Sequence, residues 1–235
     1  MPFFMFYDPT YFLVLIGVVL SLVASARVKS TFQRYSQMRN SRGMTGAQAA
    51  EQVLHGAGIY DVRIERVAGN LTDHYDPRSK VLRLSDTVYG QTSVAAVGVA
   101  AHECGHAIQH AKGYGPLKFR NTLVPVANFG AKIAWPLILI GLLINSESSW
   151  LIMQAGIIAF SLAVLFQLVT LPVEFNASNR AIRVLADRGM MYGEEIVAAK
   201  KVLNAAALTY VASAAASILQ LLRLIILTGG RRRRD

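Results

Sequence analysis

The chain has 235 residues, 53% of them hydrophobic and only 16% charged, and its 24 Lys and Arg against 14 Asp and Glu leave a formal net charge of +10. That is too apolar for an ordinary soluble domain, and the expected fold class is a mostly α integral membrane protein. A lone cysteine, Cys104, excludes an internal disulfide and a thiolate metal cluster.

In chain order, residues 1–26 contain the first apolar stretch, "YFLVLIGVVLSLVASA". The "ASA" at its end resembles a signal-peptide cleavage site, yet no Lys or Arg precedes the apolar run and a basic run follows it. This charge order predicts an uncleaved anchor with its N-terminus outside. Residues 27–120 are expected to form a small cytoplasmic α+β domain. It starts with a basic juxtamembrane stretch, and Thr45 with Gln48 then forms a capping-box pattern that opens a helix. His55 falls in that helix's last turn, where a cation suits the helix dipole.

Strand-like alternation follows, with Val62 and Ile64, then Leu82 and Leu84, on common faces, and "DPRS" as a turn between two strands. His74 and Tyr75 stand beside that turn. An exposed edge of such a sheet would let an extended peptide pair its backbone with the protein.

The next helix carries "AHECGHAIQH", residues 101–110. On an α-helix, residues i and i+4 lie about 40° apart and roughly 6 Å along the axis, so His102 and His106 can converge on one ion. His110 lies about 12 Å from His102 along the axis, too far to join them. Glu103 flanks the pair, where a general base for an ion-activated water would stand. H-E-x-x-H is the zinc-hydrolase pattern for this reason. The preceding run "SVAAVGVAA" is small and apolar, which predicts a buried helix. Cys104, two places after His102, points away from the pair and reads as a small core residue.

Two further apolar stretches, each long enough for a span of about 20 residues, make residues 121–172 a transmembrane hairpin. Lys132, early in the first of them, is expected to snorkel to the interface. Residues 173–204 then form a cytoplasmic segment. Within it Glu174, two residues after Pro172, is placed in the first turn of a new helix at the membrane surface where the motif helix must also lie. A zinc site needs a third protein ligand, and Glu174 is the candidate; the alternative is a carboxylate favoured by a helix N-terminus.

Residues 205–235 end the chain with an apolar helix and the basic tail "RRRR". Thr209, Ser213, Ser217, Gln220 and Arg223 form a narrow polar stripe there, and a full span would leave "RRRR" outside. After three transmembrane helices this helix is therefore expected to be interfacial or re-entrant with a cytoplasmic tail, a fourth span being the alternative. No Lys or Arg occurs in residues 1–26 or 133–179. By the positive-inside rule the catalytic domain is therefore cytoplasmic, the "NSESS" loop is external and the chain is multi-pass in the cell membrane.

The stretches "LTDHYDPRSKVLRLS", "VAAHECGHAIQH" and "PVEFNASNRA" resemble the YugP-type neutral zinc metallopeptidases. The pattern is related to that of the HtpX and CAAX-prenyl membrane endopeptidases. The resemblance covers nearly the whole chain. It implies a zincin-like domain and a gluzincin site, with His102, His106 and Glu174 as ligands of Zn2+ and Glu103 as base. In the HtpX group the ligand glutamate is followed four residues later by an aspartate that supports a zinc histidine; here that position is Ser178. The longer metzincin pattern is excluded by Gln109 and Lys112, which replace its Gly and His.

The expected activity is hydrolysis of peptide bonds in membrane-associated proteins or peptides at the cytoplasmic face. The partners are the lipid bilayer and a protein or peptide substrate, with no nucleic acid. A site-2-type intramembrane protease and a non-catalytic metal-binding scaffold are the alternatives. His74, Tyr75, Arg180 and Tyr210 are candidates for an oxyanion donor, and sequence does not choose among them.

Overall fold

The computed structural model describes residues 8–144 and 149–229. Most of the "NSESS" loop and the "RRRR" tail lie outside the described residues. The elements, in order, are α1 (Tyr11–Ser36), α2 (Gly46–Gly56), β1 (Arg63–Val67), β2 (His74–Asp76), β3 (Val81–Ser85), α3 (Val94–Ala111), α4 (Gly115–Leu143), α5 (Ser149–Asp187) and α6 (Glu194–Gly229). The chain divides into two compact units, one of residues 1–24, 119–171 and 209–235, the other of residues 25–118 and 172–208.

The first unit is made of apolar helix. Four helices, α1, α4, α5 and α6, are long and apolar enough to cross a membrane by length and composition. Small residues let their backbones approach, as between membrane helices generally. Gly17 packs on Ala216, and at Gly130 a Cβ would lie only 2.6 Å from the Ala159 carbonyl oxygen. Near the end of α6, Arg223 donates to Asp8 at 2.9 Å and stacks over the Tyr11 ring, its Cζ 4.2 Å from the ring centroid. Later residues of α6 thus meet earlier residues of α1, and within this unit the two helices run antiparallel.

Beside the expected three spans and interfacial or re-entrant C-terminal helix, α6 is itself long and apolar enough to cross a membrane by length and composition. α6 is one unbroken helix of 36 residues, and its polar stripe turns partly inward. Arg223 pairs with Asp8 through one terminal nitrogen and stacks on Tyr11, while its buried Nε has no hydrogen-bond partner among the described residues.

The second unit holds the motif. α2 opens with the expected capping box, in which the Thr45 hydroxyl accepts from Gln48 N and the Gln48 side chain accepts from Thr45 N. The sheet has the order β1-β3-β2. β2 and β3 form the expected hairpin, with Asp76 accepting from Arg78 N and Ser79 Oγ to shape the turn. β1 joins the other side of β3 in parallel, Ile64 opposite Leu82. Parallel pairing requires a crossover rather than a tight turn, and here the crossover contains β2 itself. β3 is central and its Val81, Leu82 and Leu84 are fully buried.

α3 is the centre of this unit's core. Its N-cap Ser93 accepts from Ala96 N, and Val94, Ala95, Ala96, Val97, Ala100, Ala101 and Cys104 are all fully buried. A helix so rich in small residues can be approached closely on several sides. The closest approach is at Gly105, where a Cβ would lie 2.6 Å from the Ala177 carbonyl oxygen of α5. The HExxH helix and α5 therefore touch backbone to backbone one residue from His106.

Candidate metal centre

Three side chains converge between α3 and α5. His102 Nε2 lies 3.3 Å and His106 Nε2 3.5 Å from Glu174 Oε2, and one ligand atom from each of the three falls within 4.8 Å of the others. The imidazole rings stand nearly perpendicular, at 87° with centroids 4.8 Å apart, so their Nε2 lone pairs can aim at one point. Glu174 is 2% exposed and Glu103 9%.

The position of Glu174 needs a correction. Pro172 does not start a new helix; it lies inside α5, which runs unbroken from Ser149 to Asp187. Proline removes one backbone hydrogen bond, a cost that a 39-residue helix packed along its length absorbs. Glu174 is thus a mid-helix residue, and attraction to a helix N-terminus does not explain it. What places it is Gly105. With no Cβ in the way, Ala177 sits against α3, and Glu174, one turn earlier on α5, reaches both rings.

The outer ring nitrogens are tied back. His102 Nδ1 is 3.1 Å from Ser178 Oγ, so the position four residues after Glu174 supports a histidine with a neutral hydroxyl. His106 Nδ1 is 3.1 Å from Oε1 of Gln109, which is fully buried. The direction of this second bond follows from its neighbours. Arg180 Nε, which can only donate, gives its hydrogen to Asn176 Oδ1 at 2.6 Å. Gln109 Nε2 donates to that same oxygen at 3.0 Å and to Val173 O at 2.8 Å. Gln109 must then turn its oxygen to His106, whose Nδ1 carries the hydrogen. In the neutral ring, Nε2 is left with its lone pair toward Glu174.

A lone pair facing a carboxylate is repulsive unless a proton or a metal cation lies between them, and two imidazoles with a carboxylate can hold a divalent metal there. Electrostatics agree. Burial pushes the His106 imidazole toward its neutral form, but the Glu174 hydrogen bond and the negative charges of Glu103 and Glu174 more than offset this and hold its pKa above the usual histidine value. The pocket favours positive charge. Two imidazoles and a carboxylate are also a usual donor set for zinc with an open coordination position.

The other candidates are engaged elsewhere. His110 is exposed and pairs with the Tyr75 hydroxyl at 2.9 Å. His74 Nδ1 bonds the Thr72 carbonyl oxygen at 2.8 Å. Arg180 is committed to Asn176, with its guanidinium over the Tyr114 ring at 5.7 Å. Tyr210 belongs to the other unit. Cys104 is buried and its thiol is pushed well above the usual range by desolvation, as expected of a core residue. Sequence reasoning missed the supporting roles of Gln109 and Asn176. The spacing of Gln109, three residues after His106 on the same helix face, was the available signal.

An HExxH helix whose histidines meet a glutamate from a later helix is the arrangement of a zinc metallopeptidase. The family described as "Putative neutral zinc metallopeptidase" matches residues 10–229, and the chain belongs to that family. It is 48% identical over 201 residues to the "Putative membrane protease YugP" of Bacillus subtilis (strain 168), an alignment covering 86% of this chain and 88% of that protein. No solved structure matches. The protein is a membrane zinc metallopeptidase, a hydrolase.

Proposed function

We propose that His102, His106 and Glu174 hold the zinc ion, that Glu103 is the general base, and that the substrates are membrane-associated proteins or peptides cleaved at the cytoplasmic face. The observation that carries this reading is the convergence of two tied-back imidazoles and a buried carboxylate on one point. A zinc ion bound there supplies Lewis acidity for the scissile carbonyl and for the attacking water. Glu103 takes the water's proton and delivers it to the leaving amine. Ser178 and Gln109 keep the rings aimed, and Val173 O, reinforced by Arg180 through Asn176, keeps Gln109 in its donating and accepting sense.

The Lys and Arg distribution supports an external N-terminus and a cytoplasmic site. The antiparallel contacts of α6 with α1, Asp8 to Arg223 and Gly17 to Ala216, support a fourth crossing by α6, against the charge rule, which favours a cytoplasmic side for the basic tail. The test of the activity is Glu103→Gln in the purified full-length protein. The variant should keep its zinc and lose peptide cleavage by at least about 100-fold, the scale of general-base catalysis. A scaffold that merely binds metal has no need of Glu103, so zinc-dependent function undiminished in the variant would reject the peptidase reading.

A further inference from the structure

Outside the metal centre, two helical faces line a half-open cavity that neither the core nor the hydrolytic chemistry requires. On α1, Arg27, Ser30, Thr31 and Arg34 are spaced i, i+3, i+4, i+7 and share one side of the helix. On α6, Lys201, Asn204, Ala205 and Leu208 repeat that spacing, and both sets line one cavity of about 490 Å³. Side chains at this spacing on facing helices are ordinarily apolar and close the seam. Here the α1 face carries two guanidiniums and two hydroxyls, and the seam stays open.

No carboxylate lines the cavity. Among the described residues none of Arg27, Arg34 and Lys201 forms an ion pair. Arg34 lies over the ring of Tyr35, which also lines the cavity, and Ser30 Oγ donates to Arg27 O. Three cations without a carboxylate, beside Thr31 and Asn204, still suit a group that carries negative charge and several acceptor oxygens, such as a phosphate. The cavity also sits at a boundary in the sequence. Residues 11–26 of α1 and 205–222 of α6 contain no charged side chain, so both helices change from charged to apolar here. Ala205 and Leu208 add apolar surface to the lining.

We propose that this cavity binds the phosphate of an anionic glycerophospholipid, with Arg34 and Lys201 on the phosphate and Ala205 and Leu208 against the glycerol end. The proposal rests on the reading that α1 and α6 cross the bilayer. It is independent of the peptidase chemistry, and its test reads lipid binding rather than cleavage, so either can fail alone.

The test uses full-length protein in a non-ionic detergent and follows the thermal midpoint during titration with dihexanoylphosphatidylglycerol. Parallel titrations use dihexanoylphosphatidylcholine and inorganic phosphate at equal ionic strength. The phosphatidylglycerol should raise the midpoint saturably, and the other two should not. Arg34→Gln/Lys201→Gln should need roughly 25-fold more lipid for the same rise, two cations at about fivefold each. Lys29→Gln/Lys200→Gln removes the same charge from residues that do not line the cavity and should titrate as wild type, as should the charge-keeping Arg34→Lys/Lys201→Arg. Equal loss in both charge-removing pairs would reduce the effect to diffuse surface charge and overturn the proposal. A rise produced equally by inorganic phosphate would overturn it in favour of a free-phosphate site.

Discussion

Gln109 Oε1 lies 3.1 Å from His106 Nδ1, and the sense of that hydrogen bond is fixed by Val173 O, which only accepts from Gln109 Nε2, and reinforced by Arg180 acting through Asn176. Removing the amide leaves a buried ring N–H without its acceptor. Gln109→Ala should weaken zinc affinity by about 10- to 100-fold, the usual effect of losing such a support. Competition with a chromogenic chelator measures it. Arg180→Met should lower zinc affinity by a smaller factor, because Gln109 keeps its bond to Val173 O. Affinity that is unchanged in both would mean that the relay does not orient His106.

Ser178 offers His102 a neutral partner at 3.1 Å. Ser178→Ala should lower zinc affinity, whereas Ser178→Asp, which restores the HtpX-type carboxylate, should raise it above wild type. Both follow from the basicity a partner confers on a ligating imidazole. The same chelator titration reads both variants.

At Gly105 an added methyl would sit 2.6 Å from the Ala177 carbonyl oxygen, a backbone atom that cannot yield without moving α5. Gly105→Ala should cost about 1–3 kcal/mol of stability by overpacking. It should also lower zinc content, since Glu174 rides on the helix that is displaced. A thermal melt and metal analysis of one preparation check both. The near neighbour Gly98→Ala, where the added Cβ would meet Ala199 Cβ at an ordinary 3.5 Å, should leave zinc content intact.

Asp73 accepts from Ser85 N at 2.7 Å and Ser85 Oγ at 2.9 Å. Burial nevertheless raises its pKa above the ordinary 3.8, and the Glu103 charge pushes the same way. The folded state therefore holds this proton more tightly than the unfolded chain does. The stability so contributed is present below the ordinary aspartate pKa and is lost as pH rises through the higher folded value. Relative to wild type, Asp73→Asn should lack that decline. Thermal midpoints of the two proteins followed upward from pH 3 give the comparison, and parallel curves would contradict it.

The readable parts of this protein were those whose geometry is local. An i, i+4 histidine pair, a capping box and the Asp76 turn each need only a few consecutive residues, and each stands in the structure as the sequence predicts. Glu174 is 68 residues from His106, so its candidacy came from the need for a third ligand and from family resemblance. The continuity of α5 through Pro172 was hidden because proline reads as a break. The β1–β3 pairing was hidden because parallel partners leave no turn signature. Gln109 served in the sequence only to exclude another metallopeptidase pattern. Its role emerges when α5 brings Val173 and Asn176 alongside, and tertiary contact alone does that. The partner of Arg223 could not be read from the polar stripe of α6, because Asp8 lies 215 residues away.

The most direct test of the central claim is the zinc stoichiometry of purified Glu174→Ala beside wild type, with the Gly98→Ala protein as a folding control. One zinc per chain in wild type and in the control, with zinc lost from Glu174→Ala, is the predicted result. Undiminished zinc in Glu174→Ala would contradict the account, because the two histidines would then be holding the ion with some other partner.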